Sequence, residues 1–354
     1  MKAPLGFASL RGTMGVRGEL PVRQRDVVAR AERAPKNHPS VGELAVARKC
    51  PVCDGSASRE FLRVRAERLR RDRPTPSGEY RYQRCGRCDA TFLAELPPAG
   101  DLQLYYESDA YHFRPLPGSR SGGEARGLVW ARDLHLALSR PFPPGPPGAL
   151  LDFGCGPGDY LACARRRGWD AIGVEWSHES GAEARARGFR VLTEGEIAAL
   201  PDASFRAISM IHSLEHHPRP LDVVTQLARV LAPDGSLLVE LPMLDCFEFA
   251  LFGRHYSMIQ APLHLQFLSD RTMAFVAERT GLVLTEVRNN LWSPVHFVWS
   301  VLNWIEERSG LSISRSAKNV ASAVLFPLML PLAWLATLGG HPASIRQYVL
   351  RRRS

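Results

Sequence analysis

The chain has 354 residues, 45% of them hydrophobic, with 45 Lys and Arg against 36 Asp and Glu for a net charge of +9. That length and apolar content support a sizeable core, allow two domains and exclude a chain too polar to bury one. Seven cysteines, behind an N-terminus ("MKAPLGFASLRGTMGVRGEL") with no apolar run of signal length, point to a reducing, cytoplasmic compartment and away from a disulfide scaffold.

In chain order, residues 1–46 are Arg-rich and aperiodic and read as a disordered basic extension. The charge is concentrated at this end. Residues 1–90 hold 20 basic and 10 acidic residues, a balance of +10, which leaves the other 264 at −1. Any partner attracted by basic charge is therefore met by the first quarter of the chain. The next unit, 47–114, contains "CPVCDG" (50–55) and "CGRCDA" (85–90), two C-x-x-C pairs with 31 residues between them. Such turns aim two thiolates each at one ion. Cys50, Cys53, Cys85 and Cys88 would make a closed, structural Zn²⁺ site in a ribbon-like module. A remnant that has lost its metal and a redox dithiol are the competing readings. The aromatic run "LQLYYESDAYH" (102–112) follows, and its Tyr105, Tyr106 and Tyr111 either close over a substrate or pack between module and sheet.

Residues 115–148 read as linker and leading helix, with "PLPGSRSGGEAR" (115–126), a helix over 127–138 and the stiff "PFPPGPPG" (141–148). Then comes "LDFGCGPGDY" (151–160), a short apolar run, an acidic residue and three alternating glycines before a helix. Glycine admits positive φ and close approach of a ligand to the backbone, and the helix start offers unpaired N–H groups. The pattern D-x-G-x-G-x-G differs from the G-x-G-x-x-G of nicotinamide-binding turns and lacks the Lys-Ser/Thr of a phosphate loop. "DAIGVEWS" (170–177) reads as a second strand, with Glu175 near its end placed to accept hydrogen bonds from ribose hydroxyls. "FRVLTEGEIAALP" (189–201) reads as a third strand and "FRAISMIHSLEHH" (205–217) as a fourth. "LDVVTQLARVLAPDG" (221–235) is an amphipathic helix stopping at Pro-Asp-Gly, before the buried strand "SLLVELP" (236–242). Alternating strands and helices predict an α/β fold with a doubly wound, Rossmann-like parallel sheet.

These stretches together resemble a class I S-adenosylmethionine-dependent methyltransferase over about residues 145–290, and 149–290 is read as that domain. The cysteine module and aromatic run before it match the layout of many bacterial members. The resemblance implies that Asp152, Gly154, Cys155, Gly156 and Gly158 surround the methionine part of the cofactor. It implies that Glu175 binds the ribose, that Trp176 packs near the adenine and that Glu196 meets the adenine amino group. The family's usual Phe-Asp is replaced here by Phe205-Arg206, which puts the local packing in doubt rather than the cofactor. For the acceptor, "SLEHHPRP" (213–220) and "APLHLQFLS" (261–269) supply His216 and His264, favoured over His217 as a base. A hydrogen-bonded structural role is the competing reading for each.

Beyond 290 lies a hydrophobic region, 291–354. The stretch 319–340 runs 22 residues without a charge, long enough to reach across a bilayer, but Pro327 and Pro331 are expected to break its helix. Three readings stand: interfacial or re-entrant contact that makes the protein peripheral to a membrane, a buried hairpin or dimer surface, and a true span. "SIRQYVLRRR" (344–353) reads as a strand returning to the sheet, which opposes a span. The expected activity is methyl transfer to an oxygen (or carbon or nitrogen) of a small-molecule, sugar or lipid-linked biosynthetic intermediate. An RNA methyltransferase gripping phosphate through the basic ribbon is the alternative, and a non-catalytic cofactor-binding regulator a third class. Against RNA, the ribbon lacks interleaved basic and aromatic residues, and "LEHHPRP" stands where base-methylating enzymes often carry Asn-Pro-Pro-aromatic.

Overall fold

The computed structural model describes residues 48–65, 79–97, 142–290, 294–338 and 340–353. The expected extension at 1–46, the tyrosine run at 102–112 and the linker and leading helix at 115–138 lie outside them. In the cysteine module, β1 (Ser58–Arg65) and β2 (Glu79–Cys85) pair antiparallel, and the three-residue β3 (Thr91–Leu93) lies against β2. Tyr82, Phe92 and Leu93 bury themselves completely there.

The larger sheet follows from strands whose side chains are apolar on both faces, as helices on both sides require. The chain runs β4 (Ala149–Phe153), α1 (Asp159–Arg166), β5 (Asp170–Val174), α2 (His178–Ala186), β6 (Val191–Leu192) and β7 (Phe205–Ile211). It continues through α3 (Pro220–Val230), β8 (Leu231–Pro242), α4 (Phe247–Phe252), β9 (Gln266–Phe267), α5 (Asp270–Arg279) and β10 (Leu282–Asn289). Helices α6 (Pro294–Ser309) and α7 (Arg315–Leu338) and strand β11 (Ile345–Arg352) complete it. Proline in the first turn starts α3, where its missing N–H costs nothing, and Val223, Val224, Leu227 and Val230 form its buried stripe. Ser177 and Ser269 cap α2 and α5 by accepting from the backbone N–H three residues on. Leu150, Leu151, Ile208, Met210 and Leu237 are fully buried between the layers. Each such side chain contributes about 1.5–3 kcal/mol.

The seven strands lie in the order β10-β11-β8-β7-β4-β5-β6, parallel from β8 to β6, with β11 antiparallel to both neighbours. The doubly wound, mostly parallel sheet is therefore the one expected, and the strand read from "SIRQYVLRRR" is in it. From β4 the chain winds outward through β5 and β6, then returns to place β7 on the other side of β4. That reversal opens a crevice at the carboxyl ends of β4 and β7.

Three readings change. The third strand shrinks to Val191–Leu192, because Thr193 caps a 3-10 turn over Glu194–Ala199. The Pro-Asp-Gly at 233–235 does not precede the next strand but sits inside β8 as an irregularity, between the Phe205–Leu231 and Ala207–Ser236 pairs. Arg206, in place of the usual acid, pairs with Asp234 in that bulge at 2.6 Å. Pro327 and Pro331 do not end the last helix, which runs unbroken from Arg315 to Leu338. Each proline deletes one N–H donor, and α7 lies against α6, so packing holds what the backbone ladder loses. Among the described residues no helix is long and apolar enough to cross a membrane.

The cysteine module is welded to the larger unit. Strand β9 pairs with β3 and becomes the fourth strand of the small sheet, in the order β1-β2-β3-β9. Thr272 Oγ1, on α5, donates to the carbonyl of Cys88 at 2.9 Å, and Arg48 reaches the carbonyl of Pro218 at 3.0 Å.

Candidate active site

Strand β4 delivers Asp152 to the crevice, buried, with Ser209 on β7 donating to its carboxylate at 2.7 Å. The turn after it uses its glycines for different reasons. Gly154 (φ 80°) lies against the 3-10 turn that follows β7: a Cβ there would stand 2.6 Å from Ser213 Cβ. Gly156 (φ 54°) has no heavy atom within 4 Å of where its Cβ would be, so its face opens onto empty space. That combination, a left-handed backbone beside a void, leaves room for a ligand to lie directly on the chain. Cys155 points the other way. Its thiol packs behind the turn onto Gly173, where a Cβ would come within 2.3 Å of the sulfur, and burial raises its pKa.

Glu175, at the end of β5, accepts from the N–H of Gly156 and of Ser177, both at 2.8 Å. Burial pushes its pKa up, and the backbone donors oppose the rise. A carboxylate offers about four acceptor sites, so two backbone donors leave capacity for hydroxyls. Trp176 follows and is 55% exposed, a flat apolar surface beside that carboxylate. Glu196, expected to meet the adenine amino group, stands in the 3-10 turn after β6. It is exposed, and its Oε2 accepts from both the N–H (2.7 Å) and hydroxyl (2.8 Å) of Thr193, a capping box for the 3-10 turn. Glu194, two residues before it, pairs with His217 at 2.8 Å.

Beyond Ser213, which touches the glycine turn, the chain makes one 3-10 turn and buries Glu215 completely. Around it stand three histidines. His212 (φ 49°) places Nδ1 3.2 Å from Glu215 and Nε2 3.3 Å from Glu240. Burial pulls the pKa of His212 down, but the two carboxylates outweigh it and raise it to about 9, so it is an imidazolium. The second oxygen of Glu240 accepts from Asn290 (2.7 Å) and Gln347 (2.5 Å). For Glu215, burial acts upward and the His212 bond and nearby imidazoles act downward, to about 2.

His216 and His264 meet edge to face, with ring centres 4.8 Å apart. Their Nδ1 atoms lie against the carbonyls of Leu263 (2.9 Å) and Met258 (2.7 Å). A carbonyl only accepts, so both Nδ1 atoms carry the proton. Burial lowers both rings, His264 to about 3 with the neighbouring His216 charge adding to the effect. Neutral His264 therefore turns the lone pair of Nε2 toward Glu215, 3.9 Å away. The oxygen it meets is Oε1, already bonded to His212, whereas Glu215 Oε2 is buried with no hydrogen-bond partner among the described residues. Oε2 lacks a donor. A hydroxyl would supply one, and the ligating atoms of Glu215, His216 and His264, all within 4.8 Å of one another, also have the composition of a divalent-metal site. His212 and Glu240 carry no sequence signal for this role. The backbone reversal that aims His212 inward is uncommon outside glycine, though His is among the residue types that adopt it more often, and Glu240 reads as an ordinary position in a buried strand.

The four cysteines come together as expected. Their sulfurs lie within 4.8 Å of one another, with Cys50–Cys88 and Cys53–Cys85 each at 3.5 Å. Tetrahedral coordination at about 2.3 Å separates thiolates by about 3.8 Å, so the cage is close to that size. The two C-x-x-C turns are copies of one design: Asp54 and Asp89 adopt positive φ and donate N–H bonds to the carbonyls of Cys50 and Cys85.

Residues 124–287 match the model of a family described as a methyltransferase domain. The match covers neither the cysteine module nor α6 and α7. A ubiquinone biosynthesis O-methyltransferase of Hahella chejuensis is 27% identical over 160 residues, which is 41% of this chain and 67% of that protein. The protein of the same name from Bordetella avium is 26% identical over 190 residues, 49% of this chain and 75% of that protein. Among solved structures, a SAM dependent methyltransferase from Archaeoglobus fulgidus is 17% identical, with a TM-score of 0.40, and the alignment covers 64% of this chain and 95% of that one.

Proposed function

We propose that this chain, which carries a class I S-adenosylmethionine-dependent methyltransferase domain, methylates a hydroxyl of a small-molecule biosynthetic intermediate, free, sugar-borne or lipid-linked. The observation that carries the choice of a hydroxyl is the missing donor at Glu215: its Oε2 is buried with no hydrogen-bond partner among the described residues, while its Oε1 is engaged by His212. The cofactor supplies an electrophilic methyl group on a cationic sulfur. The protein then has to place an oxygen in line and take its proton. His264, held near pKa 3 by burial, is too weak a base to keep a proton and serves as the acceptor that orients the hydroxyl. His216 is the base we favour, since it is less buried than His264.

For the cofactor, the open face of Gly156 and the reversed backbone of Gly154 and Gly158 take the methionine moiety, with Asp152 beneath them. Glu175 takes the ribose hydroxyls and Trp176 the adenine face. Glu196 acts at one remove, by capping the turn that frames this end. Cys50, Cys53, Cys85 and Cys88 hold a structural zinc ion whose part is folding, not chemistry. The domain bounds we assign are 47–114 for the zinc module and 149–290 for the methyltransferase unit. The RNA reading is not favoured: part of the ribbon is taken up by β9, and the relatives named above are O-methyltransferases.

Calorimetric titration with S-adenosylmethionine and its demethylated product tests the cofactor. Incubation with isotopically labelled donor and fractionated small-molecule extracts tests the acceptor. Binding of neither cofactor form would overturn the reading, and label transferred only to RNA would overturn the choice of acceptor.

A further inference from the structure

Strands β10 and β11 are antiparallel neighbours, with Asn289 opposite Arg346. A pair so close is ordinarily joined by a tight turn, yet here α6 and α7 intervene. Because β8 and β10 are each antiparallel to β11, they run in the same direction. The insertion therefore leaves the sheet at its carboxyl edge, where the glycine turn and the Glu215 cluster also stand.

The two helices are tied to the site on one side only. Ser257 bonds Ser300 and the carbonyl of His296, and Glu307 pairs with Arg254 and His255. This fixes α6 to the loop that runs on to Met258, whose carbonyl holds His264. Helix α7 is clamped to α6 by Lys318, bonded to Asn303 and Glu306 at 2.7 and 2.6 Å. Among its described side chains, Val320, Val324 and Leu328, spaced four apart on one helix face, and Leu335 are all more than half exposed. Trp304 of α6 and Leu311 of the α6–α7 turn are exposed too, as are Phe247 and Leu251 of α4. Nine of the eleven exposed large apolar side chains among the described residues lie in these three helices or the α6–α7 turn. Single exposed apolar residues need no explanation, but such a concentration does.

Charge identifies the occupant. From Arg308 to Ser344 the chain has no Asp or Glu; Lys318 and Glu306 neutralise each other and Glu307 pairs with Arg254 and His255, which leaves Arg308 and Arg315 as the basic residues of the stretch. Arg308 lies over the Trp304 ring at 4.7 Å. An apolar helix face with an aromatic and basic margin and no acid fits an anionic lipid surface. Two copies face to face would bring like charges together.

We propose that the α6–α7 hairpin lies flat on an anionic phospholipid bilayer and turns the mouth of the site toward it. This deepens the methyltransferase reading by making its acceptor a membrane-resident, lipid-linked intermediate. The full chain should sediment with vesicles of equal parts phosphatidylcholine and phosphatidylglycerol and stay in solution with phosphatidylcholine alone. Leu328→Glu and Val324→Glu alter only exposed positions and should abolish sedimentation while leaving calorimetric binding of S-adenosylmethionine intact. Arg308→Gln should weaken partitioning about fivefold, and high salt should do the same. Failure of wild type to sediment overturns the proposal even where cofactor binds. So does a lipid-free dimer that Leu328→Glu dissolves, which would assign the face to a second copy. Loss of cofactor binding in wild type would instead strike the methyltransferase reading.

Discussion

The phenol of Tyr82 donates a 2.6 Å hydrogen bond to the backbone carbonyl of His264. Tyr82 belongs to the cysteine module and His264 to the wall of the candidate active site, and both are buried. Module and site are thus one structure: Leu93 also donates to the carbonyl of Leu265, and Leu265 to that of Glu215. Tyr82→Phe should cost about 1–3 kcal/mol, because a buried acceptor loses its donor. Urea unfolding of the variant, with its metal content unchanged, checks this.

One zinc per chain is expected by elemental analysis, and Cys88→Ser should lose it. A second equivalent would occupy the cluster of Glu215, His216 and His264. Because β3 pairs with β9, removing zinc with a chelator should speed hydrogen exchange at the Leu93 and Leu265 amides before the β4–β7 core is affected. Unchanged exchange at those two amides would mean that the ion does not support the site wall.

Gly154 and Gly156 should fail differently on mutation to alanine. At Gly154 the new methyl meets Ser213 at 2.6 Å, so that variant should lose stability as well as cofactor. At Gly156 nothing stands within 4 Å, so the cost to the fold is the left-handed backbone alone, about 1–2 kcal/mol. Affinity for S-adenosylmethionine should still fall by an order of magnitude or more, since the methyl enters the open space. Thermal melts together with calorimetry separate the two cases.

His212→Asn retains a residue type that tolerates the left-handed backbone but removes the cation between Glu215 and Glu240. Two buried carboxylates would then share a site without it. Destabilisation of about 3–5 kcal/mol is expected from breaking a buried ion pair on one side. Equilibrium unfolding in denaturant near neutral pH measures it.

What the chain revealed before folding was whatever has a local code. The alternating glycines, the acid at the end of the second strand and the paired C-x-x-C turns each lie within a few consecutive residues whose chemistry is self-contained. The last strand was readable too, from the apolar residues of its "SIRQYVLRRR" stretch. The join of β3 to β9 was not, since strands of three and two residues have no periodicity to detect. Neither was the role of His212, which depends on Glu240, Asn290 and Gln347 meeting from three separate strands or strand ends. The prolines of α7 misled because propensity is local, whereas the helix is kept by its packing on α6.

Strand β11 has a consequence for how the protein is made. Its neighbour in the sheet, β8, lies far upstream; the bonded pair Glu240 and Gln347 are 107 residues apart. On the ribosome, β8 and β10 must wait with a vacant slot between them while the apolar hairpin is translated. Only then does the closing strand slide in, making this a slow, high-contact-order step. Any product halted before that strand exposes two raw sheet edges, which are targets for chaperones and proteases and templates for aggregation. The central part of the sheet is therefore complete only once β11 has been translated.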